Sequence, residues 1–252
     1  MVGRRPGRAA VSGSVSISDA RVLWHLLRGQ PRTGDHASRL AAFYGPQAAD
    51  YDRFRERLLQ GRRELIDQMD IAAGSSVVEL GCGTGRNVEF LGERLSTLAR
   101  VELVDLCAPL LERARVRAAG WPNVHVVAGD ATTHMPAEPA DAVCFSYSLS
   151  MIPDWFDAID NALRMLRPGG VVGVVDFHVS RRDPVAGRVR HGAATRAFWR
   201  TWFERDGVFP SPDHLPYLSR RFDPVIIRES SASVPYLPGV RVPWYLFVGR
   251  KA

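Results

Sequence analysis

Lysine is almost absent from this chain: Lys251 is the only one among 33 basic residues, so the rest are arginine. A bias of that kind reflects base composition, and no single arginine carries functional weight for that reason alone. Long hydrophobic runs are missing too. The longest, such as Val171–Val175, fall far short of the roughly 18 apolar residues that a membrane-spanning helix needs. Only three cysteines occur, Cys82, Cys107 and Cys144. Their odd number and wide spacing suit neither a zinc site nor a disulfide framework. They sit in or beside apolar runs and read as small buried hydrophobes in a reducing, cytoplasmic compartment. No Gly-Lys-Ser/Thr follows a glycine loop, which removes the usual cradle for a nucleoside triphosphate.

What is present is the composition of a folded domain: 252 residues, 46% hydrophobic and 24% charged, with a net charge of +6. Positive charge favours anionic partners. It is uneven. Residues 1–35 hold six arginines against Asp19 and Asp35, and residues 181–205 hold seven against Asp183 and Glu204. Residues 1–16 lack the apolar core of a secretory signal and read as a basic tail. A short helix is expected over Ser18–Gly29, then helices over Ala37–Phe43 and Ala48–Asp70, where Leu58, Leu59, Leu65, Ile66 and Met69 fall at helical spacing.

From Ser76 onward, apolar runs alternate with helical stretches. Val77–Leu80, Val101–Leu106, Val124–Ala128, Ala142–Phe145 and Val171–Phe177 read as strands, with helices over Asn87–Leu95, Pro109–Ala119 and Trp155–Leu166. Val225–Glu229 and Trp244–Gly249 read as two closing strands. Strands that are apolar throughout, rather than alternating, are covered on both faces, as in a parallel α/β sheet.

The most informative segment is Val77-Val78-Glu79-Leu80-Gly81-Cys82-Gly83-Thr84-Gly85. A strand enters, glycines recur at every second position, and a helix leaves. Glycine permits a tight turn and close approach to a ligand, and a helix start offers unpaired N–H groups. The spacing differs from the dinucleotide pattern Gly-x-Gly-x-x-Gly. Asp105 ends the second strand, Gly129-Asp130-Ala131 follows the third, and Leu166-Arg167-Pro168-Gly169-Gly170 precedes the fifth as a turn.

This ordered set resembles the class I S-adenosylmethionine-dependent methyltransferases. The resemblance implies an α/β, Rossmann-like fold: a seven-strand, mostly parallel sheet with one antiparallel strand near the end and an N-terminal helical cap. It divides the chain into a basic tail and short helix (1–35) and a methyltransferase domain (36–252), with a cap over 36–75 and a core over 76–252. It implies S-adenosylmethionine as cofactor, held by Tyr51, Arg62, Glu79, Gly81, Cys82, Gly83, Asp105, Leu106, Asp130, Ala131, Ser146 and Met151. Asp105 would meet the ribose hydroxyls, which a carboxylate suits, and Asp130 the adenine.

Three further segments narrow the likeness. Phe43-Tyr44-Gly45-Pro46-Gln47-Ala48 with Tyr51-Asp52, the string Phe145-Ser146-Tyr147-Ser148-Leu149-Ser150-Met151-Ile152-Pro153, and Val234–Pro238 with Val242–Tyr245 resemble the N-methyltransferase of betaine-lipid synthesis. That family methylates the amine of diacylglyceryl-homoserine. The resemblance implies a lipid acceptor at an anionic membrane surface, peripheral attachment, no nucleic acid, and an upstream enzyme supplying the lipid.

Tyr147, Asp176 and His178 are the candidates to meet the amine, because they fall just after the fourth strand and at the end of the fifth. Tyr44, Tyr236 and Tyr245 are candidate aromatic walls for a cationic group, and Arg182 or Arg62 for the homoserine carboxylate. A methyltransferase of soluble metabolites, an RNA methyltransferase and a cofactor-binding protein without catalysis remain as alternatives.

Overall fold

Strand β1 (Ser76–Leu80) lies where the winding of the sheet reverses. On one side it pairs in parallel with β2 (Arg100–Asp105), which pairs in parallel with β3 (Val124–Ala128). On the other it pairs in parallel with β4 (Ala140–Ser146), which is followed by β5 (Leu166–Phe177). The remaining strands are β6 (Asp223–Ser233) and β7 (Arg241–Arg250). The sheet order is β3-β2-β1-β4-β5-β7-β6, with β7 antiparallel to both neighbours. The expected seven-strand, mostly parallel α/β sheet is therefore present. In such sheets a ligand crevice opens beyond the carboxyl ends of the strands where the order reverses, here between β1 and β4.

The structure, a computed structural model, describes residues 35–44, 58–234 and 239–252. The expected tail, the helix over Ser18–Gly29, Tyr51 and Tyr236 lie outside the described residues. Helices α1 (His36–Tyr44), α2 (Arg62–Gln68), α3 (Val88–Leu91), α4 (Ala108–Ala118), α5 (Trp155–Met165), α6 (Ala193–Glu204) and α7 (His214–Arg221) complete the described fold.

Successive strand residues point to opposite faces, and both faces are apolar. Val77, Leu103 and Val175 bury against Leu65 and Met69 of α2, Leu91 of α3, and Leu111 and Ala114 of α4. Val78, Leu80, Val104 and Val172 bury against Ala158, Ile159 and Ala162 of α5 and Leu215 and Leu218 of α7. Burying each such side chain contributes roughly 1.5–3 kcal/mol, and this explains the unbroken apolar runs of the strands. A smaller cluster sets Leu40, Phe43 and Tyr44 of α1 on Cys107 and Leu110 at the start of α4. Of the expected 36–75 cap, α1 therefore covers the carboxyl-end crevice, whereas α2 belongs to the core.

Some elements differ from expectation. In the described part of Ala48–Asp70, Leu58 is helical, the helix breaks over 59–61, where Gly61 adopts φ 81°, and it resumes at Arg62. The helix expected over Asn87–Leu95 stops at Leu91, where Gly92 turns at φ 57° into a 3-10 turn over Gly92–Thr97. The Leu166–Gly170 stretch opens β5 instead of forming a turn before it. Leu166 pairs with Ala140 and Val171 with Ala142, so the residues between them on β5 bulge out of the pairing with β4, with Gly169 at φ 74°. Helix α7 was not expected: Pro216 reads as a breaker, but it sits in the first turn, where proline is tolerated.

Candidate active site

The chain leaves β1 through the glycine loop. The N–H groups of Gly81 and Cys82 both donate to the carbonyl of Val104 in β2, at 2.8 and 3.0 Å. Gly81, Gly83 and Gly85 all have positive φ, at 73°, 56° and 69°. Each also has its own spatial reason. A Cβ on Gly81 would lie 2.4 Å from Cβ of Ser148, and one on Gly85 2.9 Å from Leu103. A Cβ on Gly83 would meet nothing closer than Leu110 at 3.9 Å, so this glycine forms open floor.

Asp105 ties this loop to β2. Its Oδ2 accepts from Gly83 N–H at 2.7 Å and its Oδ1 from Cys107 N–H at 2.8 Å. A carboxylate has about four acceptor positions, and with the Leu106 N–H also acting on it, acceptor capacity still remains for a ligand. Burial pushes the Asp105 carboxyl above its ordinary pKa, and the backbone N–H groups oppose that shift. Beyond β3, Asp130 uses Oδ1 to accept both N–H and Oγ1–H of Thr132, at 2.8 and 2.7 Å.

These segments enclose a cavity of about 200 Å³. Its floor is Gly81–Thr84. Its sides are Asp105–Cys107 and Leu110, Gly129–Thr132, and Ser146–Ser148 with Met151–Asp154. Leu40, Tyr44, Leu59 and Arg62 close the top. The Tyr44 hydroxyl donates to the Met151 sulfur at 3.4 Å, which joins α1 to the segment after β4. Among the described residues no cluster suits a metal ion.

Of the expected cofactor residues that are described, Arg62, Gly81, Cys82, Gly83, Asp105, Leu106, Asp130, Ala131, Ser146 and Met151 line the cavity. Glu79 lies one layer behind. Asn87 Nδ2 donates to its Oε1 at 2.6 Å, and Arg62 Nε donates to Asn87 Oδ1 at 2.9 Å. Burial pushes the Glu79 carboxyl up to about 7, and Arg62 and Asn87 only partly offset this. Asn87, the middle of this relay, was missed. Its only signal was its place two residues beyond Gly85, at the helix start.

Tyr147 lines the cavity as expected and has the left-handed φ of 54°, unusual for a non-glycine residue. Its hydroxyl donates to the Gln60 carbonyl at 2.7 Å, and its ring meets Phe177 edge-on at 4.8 Å. Burial raises its hydroxyl pKa well above 10, so it is a protonated donor and not a phenolate base. Ser148 was missed; its Oγ donates to the Leu80 carbonyl at 2.7 Å and fills the space left by Gly81. The buried Oγ of Ser146 has no protein partner.

Four expected residues do not reach the cavity. Asp176 is fully buried on β5. Its carboxylate accepts from Ser150 N–H (2.8 Å), Ser150 Oγ–H (2.7 Å) and Phe177 N–H (2.7 Å), and burial pushes its pKa up to about 6. His178 is buried and pairs through Nε2 with Glu229 at 2.9 Å. Tyr245 is buried in β7 opposite Asp176, near the rings of His178 and His214. Arg182 is 86% exposed and lies 4.0 Å from Asp183. The common cause for the first three is β7. It pairs along β5 as far as Phe177, opposite Trp244, and walls off the end of that strand.

A doubly wound sheet with a glycine-floored cavity at its switch point defines a nucleotide-cofactor enzyme of the α/β class, and comparison with known proteins narrows the class. Residues 77–170 match the family described as "Methyltransferase domain". Trans-aconitate 2-methyltransferase of Rhizobium leguminosarum bv. trifolii is 30% identical over 188 residues, 74% of this chain and 70% of that protein. Its counterpart in Azoarcus sp. is 32% identical over 124 residues, 49% of this chain and 47% of that protein. This chain thus spans about half to 70% of the length of these relatives. The structure of N-methyltransferase NodS from Bradyrhizobium japonicum WM9, in complex with S-adenosyl-L-homocysteine, superposes with a TM-score of 0.63 at 19% identity, covering 84% of this chain and 98% of that one. The chain belongs to the class I S-adenosylmethionine-dependent methyltransferases.

The residues present fit that cofactor. Gly83 leaves open floor, Asp105 keeps acceptor capacity beyond its backbone donors, and Ser146 Oγ lacks a protein partner. The Glu79 relay then makes a pH-dependent prediction. The cofactor carries a sulfonium charge, which favours the ionised form of a nearby carboxyl. Binding should therefore tighten as pH rises through about 7 and should release a proton from Glu79. Calorimetry in two buffers of different ionisation heat measures that release; Glu79→Gln should abolish the Glu79 component and flatten the profile.

Proposed function

We propose that this chain N-methylates the amine of an amphiphilic headgroup, with diacylglyceryl-homoserine as the favoured acceptor. One observation carries the reading. The acceptor-side wall is aromatic and apolar, built from Leu40, Tyr44, Leu59, Tyr147, Met151 and Ile152, and Arg62 is the one basic side chain among the described lining residues. A polycarboxylate such as trans-aconitate, for which two relatives are named, would bring several charges into this space. Buried charges require partners, and a single arginine cannot pair several carboxylates at once.

An amine fits this wall better. In water an alkyl amine is protonated, with a pKa near 10.4 for a lysine-like group. An apolar enclosure favours the neutral, nucleophilic form. The faces of Tyr44 and Tyr147 suit methylated ammonium products, each contributing roughly 0.5–2 kcal/mol. When bound, S-adenosylmethionine supplies an activated methyl group. The chain contributes enclosure and orientation, which are large effects in such transfers. In this reading Asp105 holds the ribose and Asp130 the adenine side, while Arg62 serves the charged end of the cofactor or the carboxylate of the acceptor.

The lipid part of the reading is supported by the Phe145–Pro153 string, which forms the cavity wall. It is also supported by a relative named 2-phytyl-1,4-naphtoquinone methyltransferase, from Thermosynechococcus vestitus, 29% identical over 134 residues. The protein would then work at a membrane surface, beside an enzyme that supplies the acceptor. Among the described residues no helix is long and apolar enough to cross a membrane. The relatives favour a second reading, methyl-ester formation on a small polycarboxylate. Mild alkali separates the two: methyl label transferred to the acceptor should survive on an N-methyl product and be lost from an ester.

A further inference from the structure

Helix α6 carries aromatic side chains on two neighbouring stripes, one buried and one exposed. The inner pair, Trp199 and Phe203, is buried, and the two rings stack at 5.4 Å. Phe203 stacks on Phe177 at 4.3 Å, and Phe177 meets Tyr147 of the cavity wall at 4.8 Å. This pair already secures the helix to the core. The outer pair, Phe198 and Trp202, is four residues apart on one stripe, with rings 5.6 Å apart and exposures of 45% and 41%. Each outer ring meets the buried Trp199 edge-on, Phe198 at 4.9 Å and Trp202 at 6.4 Å, and both stay largely exposed despite that contact.

The exposure is concentrated in one part of the chain. Among the described residues, five of the nine exposed large apolar side chains fall between 185 and 209: Val185, Val189, Phe198, Trp202 and Phe209. The other four are spread over the rest of the chain. The same stretch holds the excess of arginine over acid in residues 181–205, and Arg200 and Arg205 are exposed on or beside α6. Aromatic side chains among basic ones match the headgroup layer of an anionic bilayer. The same positive field opposes self-association through this face, since a two-fold contact sets arginine against arginine.

We propose that the exposed face of α6, with Phe198 and Trp202 at its centre and Arg200 and Arg205 beside them, docks on an anionic lipid surface. The face also adjoins the catalytic cavity. The ring series Trp199–Phe203–Phe177–Tyr147 runs from α6 to the cavity wall. The N–H of Phe209 donates at 2.7 Å to the carbonyl of Ser150, four residues from Ser146 in the same wall. The purpose of this docking rests on the amphiphilic-acceptor reading; its test does not.

The test is co-sedimentation of the full chain with vesicles of phosphatidylglycerol and phosphatidylcholine, against vesicles of phosphatidylcholine alone. The protein should bind the anionic vesicles, and binding should weaken as salt rises. The double variant Phe198→Ser/Trp202→Ser should lose roughly tenfold or more in vesicle affinity, and Arg200→Gln/Arg205→Gln should lose affinity for anionic vesicles selectively. Both should keep wild-type affinity for S-adenosylmethionine by calorimetry, since none of the substituted side chains lines the cavity. If that affinity falls with the serine pair, the single variant Trp202→Arg serves instead. Undiminished vesicle binding by the variants would overturn the proposal. So would a salt-sensitive affinity for RNA, or a dimer in sedimentation, that these substitutions abolish while vesicles go unbound. Vesicle binding without lipid methylation would sink the acceptor reading and leave the docking face intact.

Discussion

Asp105→Ala is expected to weaken S-adenosylmethionine binding by about a hundredfold or more, while His178→Ala leaves it unchanged. In the structure each oxygen of Asp105 already accepts one backbone N–H, from Gly83 and from Cys107. The Leu106 N–H acts on the carboxylate as well, and the acceptor capacity that remains suits a ribose hydroxyl. Hydrogen bonds to a charged group contribute roughly 1.5–3 kcal/mol each, and about 1.4 kcal/mol is a tenfold change in affinity. Alanine also frees Gly83, whose φ of 56° the carboxylate helps to hold. Asp105→Asn should fall between the two, because its amide must turn an N–H toward one backbone donor. His178, by contrast, is held by Glu229 and lies outside the cavity lining. Calorimetric titration of the three variants checks the ranking. Equal affinity in Asp105→Ala and wild type would remove Asp105 from the cofactor site.

The second large effect is expected at Asp176, acting as a positioning residue. Its carboxylate is the only acceptor shown for both donors of Ser150, and it also accepts Phe177 N–H. Those bonds fix the 146–151 segment, which carries Tyr147 and Met151 into the cavity. Asp176→Ala leaves buried donors unpaired, at about 1–3 kcal/mol each, and lets Tyr147 shift. A displacement of about 1 Å in a reacting geometry can lower turnover roughly a hundredfold. The expectation is a fall of that order in kcat with a modest change in KM for S-adenosylmethionine, since Asp105 and the glycine floor are untouched. Asp176→Asn should be milder. Its carbonyl can take Ser150 N–H and its amide can donate to Ser150 Oγ, so chiefly Phe177 N–H is lost. Ser150→Ala should be milder still. Loss of cofactor affinity equal to the loss of kcat would mark Asp176 as a general support of the fold and nothing more specific.

Much of the cofactor side could be read from the sequence because it depends on local constraints. Three glycines at alternate positions correspond to three left-handed backbone angles in the structure, and Asp105 and Asp130 follow directly from the ends of β2 and β3. The acceptor side depends on which strand tips stay open, and that is a tertiary matter. Tyr147 and Asp176 both lie at the carboxyl ends of parallel strands. Only the course of β7, paired with β5 as far as Phe177, buries Asp176, His178 and Tyr245 away from the cavity. Nothing local announces that pairing. The relay from Arg62 through Asn87 to Glu79 joins residues 25 and 8 positions apart, and it forms only when α2 packs beside the glycine loop. Helix α7 was hidden because Pro216 in a first turn cannot be told from a breaker before the helix is known to start at His214.

The most direct test of the account offers the purified chain two acceptors at once. Vesicles containing diacylglyceryl-homoserine and an equal amount of trans-aconitate are incubated with methyl-labelled S-adenosylmethionine, and the organic and aqueous phases are then analysed by mass spectrometry. The account predicts label in the organic phase, on a lipid carrying one to three added methyl groups that withstand mild alkali. Label confined to an alkali-labile ester in the aqueous phase would contradict it and make the chain a carboxyl methyltransferase of a soluble acid.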